Sequence, residues 1–432
     1  MHRRLKLPVA LALILYAGTA AAADKPETLT IGITGFLSGP ASVFGEPARA
    51  ASEILLDDLN RAGGIAGVPV TAIWVDEGAG GEHVLSEYRR LVQDVGVDAM
   101  FASISSGNCK KVAPLAEDLK VLNIMWDCGT QKIFEENSYR YVFRTQANAT
   151  PEMLSTLLYL LKTKPDFETI AVVNQDYAWG RDSWHIFSTA LERLKPGVRV
   201  VAELFPKFGA PDFSTEISRL LALRPDVILS TSWGGDLDNF VRQSVQRGLT
   251  ERSTFVLPLM ESSLQRIGPD MPEGVIVGGR GDHYFLHPEF RHDAAFTAFV
   301  ERYHAATGEY PIYPVFHIAQ ALAALQGAYE RAIADNDGAW PDREQVVDAM
   351  EGLEFRGLGR TVTIRDDHQG VEDQMIGVTR RDPAYGFAVM DHMMIFPGAE
   401  ITTPVGMDST AWLETLPESI LEIPVQTYRH AE

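Results

Sequence analysis

Residues 29–78 read LTIGITGFLSGPASVFGEPARAASEILLDDLNRAGGIAGVPVTAIWVDEG, and this stretch decides the fold. Its opening, LTIGITG, has the apolar character of a buried strand. ARAASEILLDDLNRAGG then changes period: Ala51, Ile54, Leu55 and Leu59 fall on one stripe of a helix. Gly63 and Gly64 supply the stop that glycine gives past a helix terminus. VPVTAIWVDEG is the next strand. Strand, helix, strand at this length implies a crossover between parallel neighbours, with helices covering the sheet.

The pattern continues outward. A helix carrying Leu85, Tyr88, Leu91, Val92 and Val95 follows, then the strand VDAMFAS, the helix KKVAPLAEDL and the strand VLNIMWD. After YVFRTQANATPE the rhythm restarts. TIAVVNQ, a helix marked by Trp184, Phe187, Leu191 and Leu194, VRVVAELF, STEISRLLAL, DVILSTS, DLDNFVRQSVQRGL and STFVLP make a second doubly wound unit of similar size. GVIVGGRGDHYF reads as a connector, before long helices over about 288–307 and 315–335. RTVTIR, MIGVTRR and FAVMDHMMIF close the pattern without helices between them, which predicts antiparallel edge strands.

The ends and the composition set the compartment. MHRRLK, the apolar run LPVALALILYAG and Ala21-Ala22-Ala23 before Asp24 predict a cleaved signal peptide over residues 1–23. The apolar run is shorter than the roughly 20 residues a membrane span needs. The expected mature chain is therefore exported to the periplasm without a membrane anchor. Losing Arg3, Arg4 and Lys6 takes the formal charge from −20 to −23. A chain so acidic repels phosphate backbones, so nucleic acid is excluded as a partner.

In open parallel sheets, ligands bind beyond the carboxyl ends of the strands. Six loops meet that rule: TGFLSGPASVFG, SISSGNC, WDCGTQ, NQDYAWGRD, STSWGGD and PLMESS. They hold small residues, hydroxyls, free backbone amides and large aromatics. With SGPASVFG, DLNRAGGIAGVPV, AEDLKV, YVFRT, DFSTEISRL and DNFVRQSVQRGL, the chain resembles an ABC-transporter substrate-binding protein of the branched-chain amino acid-binding, type I periplasmic family. The resemblance covers about residues 28–380.

It implies an α/β fold of two Rossmann-like lobes joined by three crossovers, closing on a ligand by a hinge. The expected N-terminal lobe spans 24–147 and 279–358, and the C-terminal lobe 148–278 and 359–432. The resemblance also implies a small-molecule solute, ABC permease and ATPase partners, a monomer and no cofactor. Carried over by position, the ligand-facing hydroxyls fall on Ser105 or Ser106, and a second wall of amides and hydroxyl on Asp127 to Thr130, including Gly129. Aromatic walls fall on Phe44, Trp179 and Trp233. Two departures stand out. Asp127-Cys128-Gly129 puts a carboxylate into a wall that is small in amino acid binders. Where an acid would pair the ligand's ammonium, the aligned residue is nearer Leu259, with Glu261 two positions on. Asp127 and Glu261 are thus the candidates to pair a ligand cation, although Asp127 could instead cap the helix after it.

Cys109 and Cys128 are the chain's two cysteines, and each follows a strand. Export favours a disulfide between them, with two free thiols as the alternative. His283, His287 and His292 are spaced four then five apart, which matches no metal-binding motif, and they are expected at the surface. The sequence has no G-x-S-x-G, HExxH or P-loop, so no enzyme and no metal is expected. The functional expectation is capture of a small apolar or aromatic amino acid or carboxylate for a permease. A periplasmic sensing module that presents its ligand to a receptor is the alternative.

Overall fold

The computed structural model describes residues 24–430. The expected signal peptide lies outside them. Five strands, β1 (Leu29–Gly35), β2 (Val70–Asp76), β3 (Ala99–Phe101), β4 (Leu122–Met125) and β5 (Val142–Arg144), form a wholly parallel sheet in the order β2-β1-β3-β4-β5. β3, β4 and β5 are buried along their whole length. Unbroken apolar runs such as VDAMF are the signature of strands covered on both faces.

The second lobe repeats the design. β6 (Thr169–Val173), β7 (Arg199–Leu204), β8 (Val227–Leu229), β9 (Thr254–Leu257) and β10 (Ile276–Gly278) run parallel. β11 (Glu354–Arg356), β12 (Thr361–Ile364) and β13 (Gly370–Val371) make a separate small antiparallel sheet, bridged to Arg144 through Gln369. The chain then returns through β14 (Gln374–Arg381), β15 (Ala388–Phe396) and β16 (Gln426–Tyr428). The second sheet has the order β16-β15-β14-β10-β9-β8-β6-β7, antiparallel from β10 to β16.

Two expectations change here. GVIVGGRGDHYF is not all connector, because its Ile276–Gly278 is the seam strand between the parallel and antiparallel halves. Three apolar residues before a glycine pair are too short a run to announce a strand. MIGVTRR and FAVMDHMMIF are antiparallel as expected but lie inside the sheet, since β16 takes the edge.

Three crossovers join the lobes. The first leads from β5 into the helix Ala149–Thr163, the second from β10 towards the helices Ala294–Thr307 and Tyr313–Asp335, and the third from β13 into β14. Among the described residues no helix is long and apolar enough to cross a membrane. The loops at the carboxyl ends of both parallel sheets meet between the lobes.

Candidate functional site

The first-lobe wall is built by short turns fixed from behind. Glu77, buried at the end of β2, accepts bonds from Thr34 Oγ1 (2.9 Å), the Ile104 amide (2.8 Å) and Asn108 Nδ2 (2.8 Å). This holds the 104–108 turn at the start of the helix Ser106–Leu119. Ser105 is the N-cap, with extended backbone and no side-chain cap bond. Ser106 is buried and faces the space between the lobes, and its Oγ accepts the Thr130 amide at 3.2 Å. Of the two serines, Ser106 is the one that lines the cavity. A disulfide joins Cys109 to Cys128 with Cα atoms 6.4 Å apart, tying this helix to the 127–130 turn.

The second lobe contributes aromatics at the starts of two helices. Trp179 donates from Nε1 to the Thr231 carbonyl (2.8 Å), and Trp233 donates from Nε1 to the Tyr177 hydroxyl (2.6 Å). Phe44, in the first turn of Ser42–Arg61, meets Trp233 and Tyr313 with ring centroids 5.1 and 5.0 Å apart. The lobes also touch directly. Asp182 accepts Thr130 Oγ1 and Lys132 Nζ, both at 2.6 Å, and the Gly235 amide donates to the Pro40 carbonyl at 3.1 Å.

Arg280 carries the charge in this cleft. It sits at the second crossover with φ of 44°, a left-handed conformation unusual for a residue with a side chain. Nη1 bonds Asp127 Oδ1 at 2.6 Å, and Nε and Nη2 bond Glu152 at 3.1 and 3.0 Å. The guanidinium lies between the Trp179 and Tyr313 rings, 5.2 and 5.3 Å from their centroids. Burial opposes its charge, but Asp127 and Glu152 outweigh that and hold it above its ordinary range. Burial pushes both carboxyls up to about 7, with Arg280 pulling the other way.

His317 Nδ1 lies 2.8 Å from Asp127 Oδ1, and its Nε2 lies 2.7 Å from the Arg280 carbonyl. His283 Nε2 meets Glu372 at 3.1 Å, and the other Glu372 oxygen accepts the Ala147 amide. Two adjacent buried polar sets, one around Arg280 and one around Glu372, therefore brace the cleft wall and the three crossovers.

Phe44, Ile104, Ser106, Asp127 and Gly129 face Tyr177, Trp179, Trp233 and Leu259 across a cavity of about 10 Å³, with Arg280 at its side. Phe44, Ser106, Asp127, Gly129, Trp179 and Trp233 are thus brought together. Ser105, Thr130 and Glu261 are not among the lining residues. The Thr130 hydroxyl is engaged by Asp182. Glu261, which burial pushes up to about 8, accepts the Tyr313 amide at 2.9 Å, while Leu259 faces the cavity.

Sequence reasoning missed Arg280, Glu152 and Glu77. The usable signal was the arginine of GGRG directly after an apolar run. The histidine expectation is corrected: His283 and His287 are buried, and only His292 is exposed. Glu372, 89 residues away, takes the His283 ring, and the nearby Asp282 faces His287, so the connector turns both imidazoles inward. His283, His317 and Glu372 are a grouping with metal-ligand chemistry, their donor atoms within 4.8 Å of one another. His283 Nε2, both His317 nitrogens and Glu372 already take part in hydrogen bonds, whereas His283 Nδ1 is buried without a partner.

Comparison with known proteins adds the lineage. A family model described as periplasmic binding protein matches residues 28–381. The Leu/Ile/Val/Thr-binding protein of Salmonella typhimurium is 24% identical over 254 residues, 58% of this chain and 67% of that protein. The leucine-, isoleucine-, valine-, threonine- and alanine-binding protein of Pseudomonas aeruginosa is 23% identical, covering 64% and 72%. Two solved structures share the fold. An ABC-transporter solute-binding protein from Rhodopseudomonas palustris BisB5, in complex with 3,4-dihydroxybenzoic acid, superposes with a TM-score of 0.73 at 19% identity, over 88% of this chain and all of that one. A leucine-binding protein from Thermotoga maritima gives 0.72 at 18% identity, over 86% and 100%.

Proposed function

This chain belongs to the periplasmic binding protein family, and from that premise we propose that it is the solute-binding component of an ABC importer. It captures a small apolar or aromatic amino acid or carboxylate between its lobes and delivers it to a membrane permease with its ATPase. The mature protein starts at Asp24 and acts as a monomer in the periplasm. The observation that carries the reading is the cavity between the lobes, walled by Phe44, Tyr177, Trp179 and Trp233 and lined also by Ser106, Asp127 and Arg280.

At about 10 Å³ that cavity holds roughly one water, whereas small-molecule pockets run to roughly 300–1,000 Å³. A solute therefore enters with the lobes apart. It docks on Ser106 and Asp127, and the second lobe brings Trp233 over it while Trp179 comes down on Gly129 beside it. Ligand binding shifts the population towards closure, which is the form a permease recognises. The hinge is the set of three crossovers. Because β11, β12 and β13 form one sheet tied to Arg144, we place the third crossover after residue 371 rather than at the expected 358/359 division.

The reading is tested by thermal unfolding of the mature protein, refolded from denaturant to release any carried solute. The panel is leucine, phenylalanine, benzoate and benzamide. A solute at 100 times its dissociation constant adds about 2.7 kcal/mol of stability. A rise in Tm with one of these supports solute capture, and an unchanged Tm across them contradicts it.

A further inference from the structure

The polar end of the cleft is not built to receive an anion. Asp127 lines the cavity and its side chain is fully buried. Its Oδ1 is doubly engaged, by Arg280 Nη1 and His317 Nδ1. Its Oδ2 is buried and has no hydrogen-bond partner. A buried carboxylate oxygen without a donor is costly, and native proteins rarely leave one so.

The charge count points the same way. Among the described residues Arg280 is the one cationic side chain lining the cavity, and it is already paired with two carboxylates, Asp127 and Glu152. It cannot swing towards a ligand without leaving both, and two aromatic faces hold it in place. A solute carboxylate placed here would be a third anionic group around one guanidinium, inside a wall of aromatic rings. Like charges in such a site disfavour one another strongly.

We propose that the solute presents a hydrogen-bond-donating nitrogen, an ammonium or a carboxamide, to Asp127 Oδ2, with its apolar body against the ring faces that Phe44 and Trp233 present once the lobes part. This rests on the cleft being the solute site and narrows the class of solute it takes. A solute with no N–H or O–H to donate there leaves Oδ2 unpaired and is rejected on that account. The opposite arrangement, a solute carboxylate sharing a proton with Asp127, would reverse the order of affinities.

Calorimetric titration of the refolded wild-type protein with matched pairs separates the two. The pairs are L-phenylalanine with 3-phenylpropanoate, L-leucine with 4-methylpentanoate, and benzamide with benzoate. We expect a nitrogen-bearing member to bind and its partner to bind about 100-fold or more weakly. Equal or tighter binding of a nitrogen-free carboxylate overturns this inference and leaves solute capture standing. Silence from all six probes overturns both. Asp127→Asn, checked for native circular dichroism, should weaken the best nitrogen ligand about 10- to 100-fold. Unchanged affinity in that variant overturns the assignment to Asp127.

Discussion

Replacing Gly129 by alanine should block closure while leaving each lobe intact. Gly129 does not have a positive φ, so alanine suits its backbone. The obstacle lies across the cleft. A Cβ at this position would fall inside the van der Waals envelope of Trp179 Cε3 and Cζ3, and 3.3 Å from Arg280 Nη2. Neither neighbour is free to give way, because the Trp179 indole is tied to the Thr231 carbonyl and Arg280 to two carboxylates. Overpacking of this kind costs about 1–3 kcal/mol, and here it bears on the closed form alone. The closed population, and with it solute affinity, should fall by roughly 5- to 150-fold, with little change in unfolding free energy. Calorimetric titration gives the affinity and urea denaturation the stability. A Trp179→Ala background should relieve much of the loss, because the two substitutions act on one contact. Wild-type affinity in Gly129→Ala, or equal losses in both backgrounds, would refute the reasoning.

Other variants probe the support of the site. The Cys109–Cys128 bridge spans a sequence separation of 19, and closing a loop of that size contributes about 3 kcal/mol in the entropic account. The double Cys→Ala variant should lose that much in urea denaturation, and an unchanged midpoint would remove the staple. Glu152→Ala leaves buried Arg280 with one carboxylate and should cost about 3–5 kcal/mol. A loss below about 1 kcal/mol, the range of an exposed pair, would contradict the network. Glu261 titrates near 8 in the folded protein, against an ordinary value of 4.5, because burial disfavours its charge. Its contribution is fully present at acid pH and is lost as pH rises towards 8, on the order of a few kcal/mol. The stability difference between wild type and Glu261→Gln should therefore drift in the variant's favour from pH 5 to 9. A flat difference would show that the carboxyl titrates normally.

Much of this molecule was legible because its rules are local. Apolar runs of four to seven residues alternating with amphipathic helices gave both parallel sheets, and strand ends followed by small residues gave the candidate loops. Phe44, the Ser105/Ser106 pair, Gly129, Trp179 and Trp233 were placed in the cleft by the family resemblance, on loops that the strand-end rule picks out. The pairings were not legible. Arg280 meets Asp127 and Glu152 across separations of 153 and 128 residues, and Glu372 reaches His283 across 89. No periodicity encodes those distances. Glu261 shows the converse: it is near the cleft in sequence, but the start of a first-lobe helix takes its carboxylate. The histidines of DHYFLHPEFRH misled because polar residues in a connector are usually exposed, and here the hinge is buried.

Solute capture by this chain requires a solute that sits between the lobes, enclosed by both. A co-crystal structure of the refolded protein with the panel member that most raises Tm tests it most directly. Solute density is expected, bounded by Phe44, Ser106 and Asp127 on one side and Trp179 and Trp233 on the other. Density confined to a site elsewhere, such as the open groove of about 380 Å³ beside Val43, Tyr303 and Tyr310, would contradict it.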